Sequence, residues 1–185
     1  MEHEGPRQVE IELTTIQRAL AGEEAALAQI YDAYARPIYR YHYSRVGNAA
    51  DAEDLTSQTF IAALEALPRY QHRGRFTAWM FQIARNKAMD HFRKNHSMSD
   101  MTDSVADPIQ TDAIEAIYQN ESRARLRTLM RLLDDDEREL LRLRFTAELS
   151  FVQIGQLLGR SEDAARKSIR RILDRLALQM EAQNA

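Results

Sequence analysis

No stretch of this 185-residue chain alternates apolar and polar side chains for long enough to make a strand. That absence narrows the fold more than any other feature. Helix formers (Ala, Leu, Glu, Arg and Gln) dominate, and only six Gly and four Pro interrupt them. The breakers therefore lay out the chain. Residues 1–22 read as a ragged lead-in with room for one short helix. A long helix is predicted from Glu23 to Arg45, ending at Gly47, which can take the left-handed C′ conformation. Pro37 lies inside it, and its missing amide and ring clash predict a kink or break near Arg36. A second helix is predicted from Ala50 to Leu67. Asp51, Glu53 and Asp54 suit the positive end of its dipole, and Pro68 stops it. Residues 69–75 form a basic loop, and a third helix is predicted over Phe76–Asn95. Residues 97–112 lack periodicity and read as linker. Helices are then predicted over Ala113–Leu133, Asp135–Phe145, Phe151–Leu158 and Glu162–Met180.

The net charge of −3 does not suggest a nucleic-acid binder, but its distribution is uneven. Residues 1–96 carry 12 Lys/Arg and 12 Asp/Glu; residues 97–122 carry none against six; residues 123–176 carry 13 against 9. An acidic segment separates a neutral half from a basic one, so two modules with different partners are expected. The fold class is read as all-α: a lead-in (1–22), an N-terminal helical bundle (23–96), an acidic linker (97–122) and a C-terminal helix-turn-helix domain (123–180).

Several function classes drop out. With no cysteine, disulfides and thiolate metal sites are excluded. No apolar run approaches the roughly 20 residues needed to span a bilayer. No basic-then-apolar signal pattern opens the chain, so a soluble cytoplasmic protein is expected, without membrane insertion. His3, His42, His72, His91 and His96 are scattered, with no i, i+4 zinc pair, phosphate loop or Gly-x-Ser-x-Gly motif. No catalytic residue, metal or cofactor is therefore expected.

In the C-terminal half, Ser150 and Gln153 have the spacing of a capping box. The helix they open puts Phe151, Ile154, Leu157 and Leu158 on one face, and Gly159 ends it. Ser161 then caps a further helix, with Glu162 and Asp163 in its first turn. Two helices joined by so short a turn make a helix-turn-helix candidate. On a wheel of the second helix, Ala165, Ile169, Ile172, Leu173 and Leu176 share an apolar arc. Arg166, Lys167, Arg170, Arg171 and Arg175 share the opposite one. A DNA recognition helix needs this division, although a solvated basic face has the same pattern.

In the N-terminal half, 11 of the 14 aromatic residues fall between Tyr31 and Phe92, so most must be core. The third helix has two apolar sides: Phe76, Trp79, Met80 and Ile83 on one, Phe81, Ala84, Ala88 and Phe92 on the other. Such a helix is buried between neighbours or carries an apolar working surface. Arg73, Arg75, Arg85, Lys87, Arg93 and Lys94 interleave with the aromatics. That mixture suits single-stranded nucleic acid, and equally a packed core with a basic rim.

The motifs resemble those of a known family. Asp51-Ala52-Glu53-Asp54-Leu55-Thr56-Ser57-Gln58-Thr59-Phe60 resembles the DAEDLTQETF segment of extracytoplasmic-function (ECF) sigma factors. The run from Phe76 to Asn86 resembles their F-x-A-W-L-x-x-I-A-R-N. Leu133 to Arg144 resembles LPxxxREVLxLR, and Leu149-Ser150-Phe151 with Ile154 and Leu157-Leu158-Gly159 resembles LSYxEIAxxLG. The resemblance covers about residues 23–178. It implies a transcription initiation factor that binds core RNA polymerase, at the largest subunit's clamp helices and at the flap. The clamp contacts it implies are Asp51, Glu53, Asp54, Gln58 and Phe60. The minus-ten promoter element would be read and melted by the Tyr70–Arg75 loop, through Tyr70, Arg73 and Arg75, with Trp79, Arg85, Asn86 and Lys87. The minus-thirty-five duplex would be read by Arg166, Lys167, Arg170 and Arg171. The acidic linker would thread the polymerase, and an anti-sigma factor would be a regulatory partner. Three departures stand out: Asp134 for the family's Pro, Gly155 for its Ala, and Asp163-Ala164-Ala165 for its Gly-Thr-Val.

Overall fold

A computed structural model describes residues 11–96, 129–130 and 132–183. Every regular element among them is helical. The acidic linker and nearly all of the helix predicted over Ala113–Leu133 lie outside the described residues. From that helix, Leu129 and Met130 are helical, and Leu129 and Leu133 are buried.

The lead-in contains α1, Leu13–Leu20, which buries Ile16 and Ala19 against α2. Helix α2 is Glu24–Val46, and Gly47 closes it with φ 84°. The helix runs through Pro37 without the expected break. Ile30, Tyr34, Ile38 and Tyr41, on both sides of the proline, are buried on one face. At about 1.5–3 kcal/mol for each large side chain, their burial outweighs the roughly 3 kcal/mol of an internal proline. Helix α3 is Ala49–Ala66, capped by Asn48, whose side chain accepts the Asp51 amide at 2.8 Å. A short 3-10 turn, Leu67–Arg69, absorbs Pro68 at its start. Helix α4 is Phe76–His96.

The C-terminal module starts each short helix with a side-chain cap. Helix α5, Asp135–Leu141, has a full capping box of Asp134 and Glu137, so the departure from proline keeps a firm helix start. Sequence reading took one helix to Phe145; instead the chain widens into a π-type turn, Arg142–Thr146. Helix α6 is Phe151–Leu158 and α7 is Glu162–Gln183.

Helix α4 buries Phe76, Ala78, Met80, Phe81, Ala84 and Ala88, consistent with a helix enclosed by neighbours: α2, α3 and, from the other module, α6. The C-terminal core joins Leu140, Leu143, Leu149, Ile154, Ala165, Ile169, Ile172 and Leu176. Leu173, expected in that arc, is 41% exposed, because α7 packs on α5 and α6 and neither covers its flank. The two modules meet where α4 lies on α6 and α2 on the π-type turn.

Candidate nucleic-acid interface

The helix-turn-helix is locally determined at each step. Ser150 Oγ accepts the Gln153 amide at 3.1 Å, and Gln153 Oε1 accepts the Ser150 amide at 2.9 Å. Gly159 takes the left-handed conformation, φ 65°. Just after it, the Arg160 amide donates to the Gly155 carbonyl at 2.8 Å. A Cβ built on Gly155 would stand 2.7 Å from the Arg160 carbonyl oxygen. Glycine in place of the family's alanine therefore lets this turn close tightly against its own helix. Ser161 Oγ then accepts the Ala164 amide at 3.1 Å and starts α7.

That start sets the rotation of α7. Ala165, Ile169, Ile172 and Leu176 go inward, leaving Arg166, Lys167, Arg170 and Arg171 exposed together on the outer face. Arg166 is held by Glu162 at 2.7 Å and lies over the Phe151 ring, 4.8 Å from its centroid. Arg144, from the π-type turn, lies 4.5 Å from the same centroid. Two guanidinium groups from elements far apart in sequence thus share one aromatic ring. Burial, and then Arg166, lower the pKa of Arg144, though it stays a cation at neutral pH. Sequence reading had missed both Arg144 and the ring's role, having placed Phe151 on the core face of α6. No spacing rule joins residues 144, 151 and 166, since only the folded turn brings them together. Arg175, grouped with the outer cations, is paired with Glu137 of α5.

The second candidate surface is built on the loop before α4. Tyr70 and Trp79 stand 4.8 Å apart by centroid, and both pack on Phe76, at 5.3 and 5.2 Å. Phe76 is buried, whereas Tyr70 and Trp79 are half-buried. The motif's aromatics therefore divide between core and surface. Gly74, φ 63°, turns the loop, and Arg73 and Arg75 project from it. Arg73 donates to Gln71 at 3.0 Å. Asn86 is exposed and accepts from Gln82 at 2.9 Å, and Lys87 is half-buried. Arg85 points to the other module, with Nε 3.6 Å from Glu139.

The acidic candidates form a third face. Glu53 and Asp54 are exposed, and Gln58 donates to Asp54 at 2.6 Å. Asp51 lies 3.8 Å from His91 of α4. Phe60 is half-buried, with Tyr31 at 4.9 Å. Tyr31, Ile61 and Leu64 are each at least half exposed on the same pair of helices, α2 and α3. Sequence reading had chosen the acids and missed these apolar neighbours. Among the described residues, no group of three His, Asp or Glu could hold a metal ion, and no helix is long and apolar enough to cross a membrane.

Comparison with known proteins fits both modules. Residues 30–97 match sigma-70 region 2, and residues 129–177 match sigma-70 region 4. The ECF RNA polymerase sigma factor ShbA of Streptomyces griseus is 34% identical over 174 residues, 87% of this chain and 91% of ShbA. The chain belongs to the ECF RNA polymerase sigma factors. Another member, BldN of Streptomyces coelicolor, is 36% identical over 153 residues, 80% of this chain; the match spans 58% of BldN. The structure of CnrH in complex with the cytosolic domain of CnrY shares the fold, with a TM-score of 0.66. It is 22% identical and covers 91% of this chain and 96% of CnrH. In this ECF sigma factor, α2 to α4 thus form region 2, and α5 to α7 form region 4.

Proposed function

We propose that this sigma factor reads promoters through two separate surfaces that become effective only together, on core polymerase. The exposed cation row of α7 carries the reading for region 4: Arg166, Lys167, Arg170 and Arg171 face the minus-thirty-five duplex. Arg144 joins them, since it shares the Phe151 ring with Arg166. Guanidinium forks suit both phosphates and guanine edges. The Tyr70–Arg75 loop, with Trp79, Arg85, Asn86 and Lys87, reads and opens the minus-ten element. Half-buried Tyr70 and Trp79 offer ring surface to an unstacked base.

Core polymerase docks on α3, with the clamp helices meeting Asp51, Glu53, Asp54, Gln58 and Phe60, and with region 4 at the flap. Exposed Tyr31, Ile61 and Leu64 give this docking face an apolar component beside its acids. Each module alone neutralises few phosphates and binds weakly. Fixing both at promoter spacing makes the second contact effectively intramolecular. The protein contributes recognition and melting, and no catalytic step. An anti-sigma factor covering these faces is the expected restraint, as in the family.

The test is run-off transcription by purified core on a genomic promoter library. Start sites that need this protein are expected. Replacing Asp51, Glu53 and Asp54 by Ala should lower core affinity at least about tenfold, or 1.4 kcal/mol, and abolish those starts at limiting protein. Duplex binding by the free protein as tight as that of its core complex would instead make it an ordinary operator-binding regulator.

A further inference from the structure

The outer arc of α7 carries one acid that nothing else in the described protein engages. Asp163 lies in the first turn of the helix, just past its Ser161 cap. At 100° per residue it falls roughly 160° from buried Ala165, so it points away from the core of region 4. Lys167 and Arg170, further along the helix, fall on the same outward line, and all three residues are exposed. Asp163 therefore belongs to the cation row by position and opposes it by charge.

The ordinary tasks of an acid at this place are already filled. Ser161 Oγ accepts the Ala164 amide at 3.1 Å and caps α7. Glu162 supplies a carboxylate to the positive end of the helix dipole and holds Arg166 at 2.7 Å. Among the described residues, the Asp163 carboxylate makes no hydrogen bond and no ion pair, although Lys167 follows at the i+4 spacing that suits one. Against phosphates, a free carboxylate only weakens binding. Over base edges it can find a partner, and the N-terminal residues of a recognition helix are the ones that reach them.

Two bases offer a hydrogen-bond donor in the major groove: cytosine through its N4 amino group and adenine through N6. Adenine sets its N7 acceptor beside that donor, where a carboxylate with no proton to give meets a second lone pair. Guanine and thymine present acceptors. Cytosine alone offers a donor without an acceptor next to it.

We propose that Asp163 is a specificity-determining residue: its carboxylate accepts the N4 amino group of a cytosine in the minus-thirty-five element and turns away the other three bases. Asp163 can do this only if α7 faces the minus-thirty-five duplex, as proposed above. Arg166 and Lys167 follow at roughly 4.5 and 6 Å along the helix axis, or one to two base-pair steps of about 3.4 Å. Either can read a guanine. The cytosine is thus expected within about two base pairs of a guanine. The family motif has glycine at this position, with no side chain to read a base, so the preference belongs to this chain.

A promoter recovered by run-off transcription is randomised across its minus-thirty-five element, and the duplexes retained by core polymerase carrying this protein are sequenced. Wild type should enrich cytosine at one position about tenfold over the other bases. Asp163→Ala should lower that preference to about twofold or less and leave the other positions unchanged. Asp163→Asn, whose amide both donates and accepts, should move it to adenine. An acid that serves only the helix dipole would lower the melting temperature of both variants, read by circular dichroism, and leave every base preference as it was. Cytosine preference that survives in Asp163→Ala overturns the contact, as does a wild-type element in which no position responds to residue 163. If wild type shows no preference anywhere in the element, the assignment of α7 to the duplex fails, and the cytosine contact with it.

Discussion

Region 2 keeps polar groups inside its core, whereas region 4 keeps them at its edges. In region 2, His42 is buried with Nε2 2.9 Å from Thr59, and Tyr34 shares a 2.8 Å hydrogen bond with Thr77. In region 4 the interior is Leu, Ile and Ala, and its buried polar side chains are Gln153, in a helix cap, and Glu139, at the seam. A core that contains hydrogen bonds is specific but sensitive to protonation. A core of aliphatic groups depends instead on how its short helices start and stop. One sigma factor thus carries two stability mechanisms, and they can be perturbed separately.

The largest separation should come from acid. Burial, then the nearby charges of Arg45 and His91, push the His42 pKa down to about 3. The unfolded chain therefore binds a proton near pH 6.5 that the folded one refuses, and stability present above pH 6.5 is lost as the pH falls toward 3. The slope from this group is at most about 1.4 kcal/mol per pH unit, so two units below 6.5 remove roughly 2–3 kcal/mol. Trp79, the chain's only tryptophan, lies in region 2, so urea unfolding followed by its fluorescence reports that region. His42→Gln should flatten this acid slope. An equally steep slope in the variant would assign the acid sensitivity to other groups.

Next comes the turn of region 4. Gly155→Ala forces a methyl group toward the Arg160 carbonyl and should cost about 1–3 kcal/mol, although Ala favours helix elsewhere. The loss should show as earlier melting of region 4 helices by circular dichroism, with Trp79 fluorescence little changed at the same temperature. Simultaneous loss of both signals would mean that the regions unfold as one unit.

The smallest effect concerns the shared ring. Phe151→Leu keeps an apolar side chain but removes the π face under Arg144 and Arg166. At about 0.5–1 kcal/mol for a partly exposed cation–π contact, affinity for a minus-thirty-five duplex should fall about two- to fivefold. Phe151→Tyr should preserve it. Stability should change little, because the ring is half-buried.

What could be read from the sequence follows the same division. Caps, turns and the rotation of α7 are encoded within a few residues, so Ser150, Gly159, Ser161 and the outer cations were legible. The sequence motifs also carried the family. Groupings made by tertiary contact were not legible. Arg144 meets Arg166 only across Phe151, Glu139 meets Arg85 only when the regions close, and Tyr31 joins Ile61 and Leu64 only when α2 and α3 pack. Pro37 allowed a kink or a break by local rules alone; burial along α2 excluded the break, and the helix continues through it.

Glu148 shows what joining the two regions demands of the chain. It is a non-glycine residue with positive φ, 60°, in the turn before α6. Backbone sterics alone would favour glycine there. The glutamate side chain instead reaches Arg40 in the other region. Region 4 by itself gains nothing visible from that choice; only the assembled molecule does. Residue 148 is therefore a position where the interest of the part and the interest of the whole diverge. Exchange for glycine there would make the two halves of the protein more independent of each other while leaving each half intact.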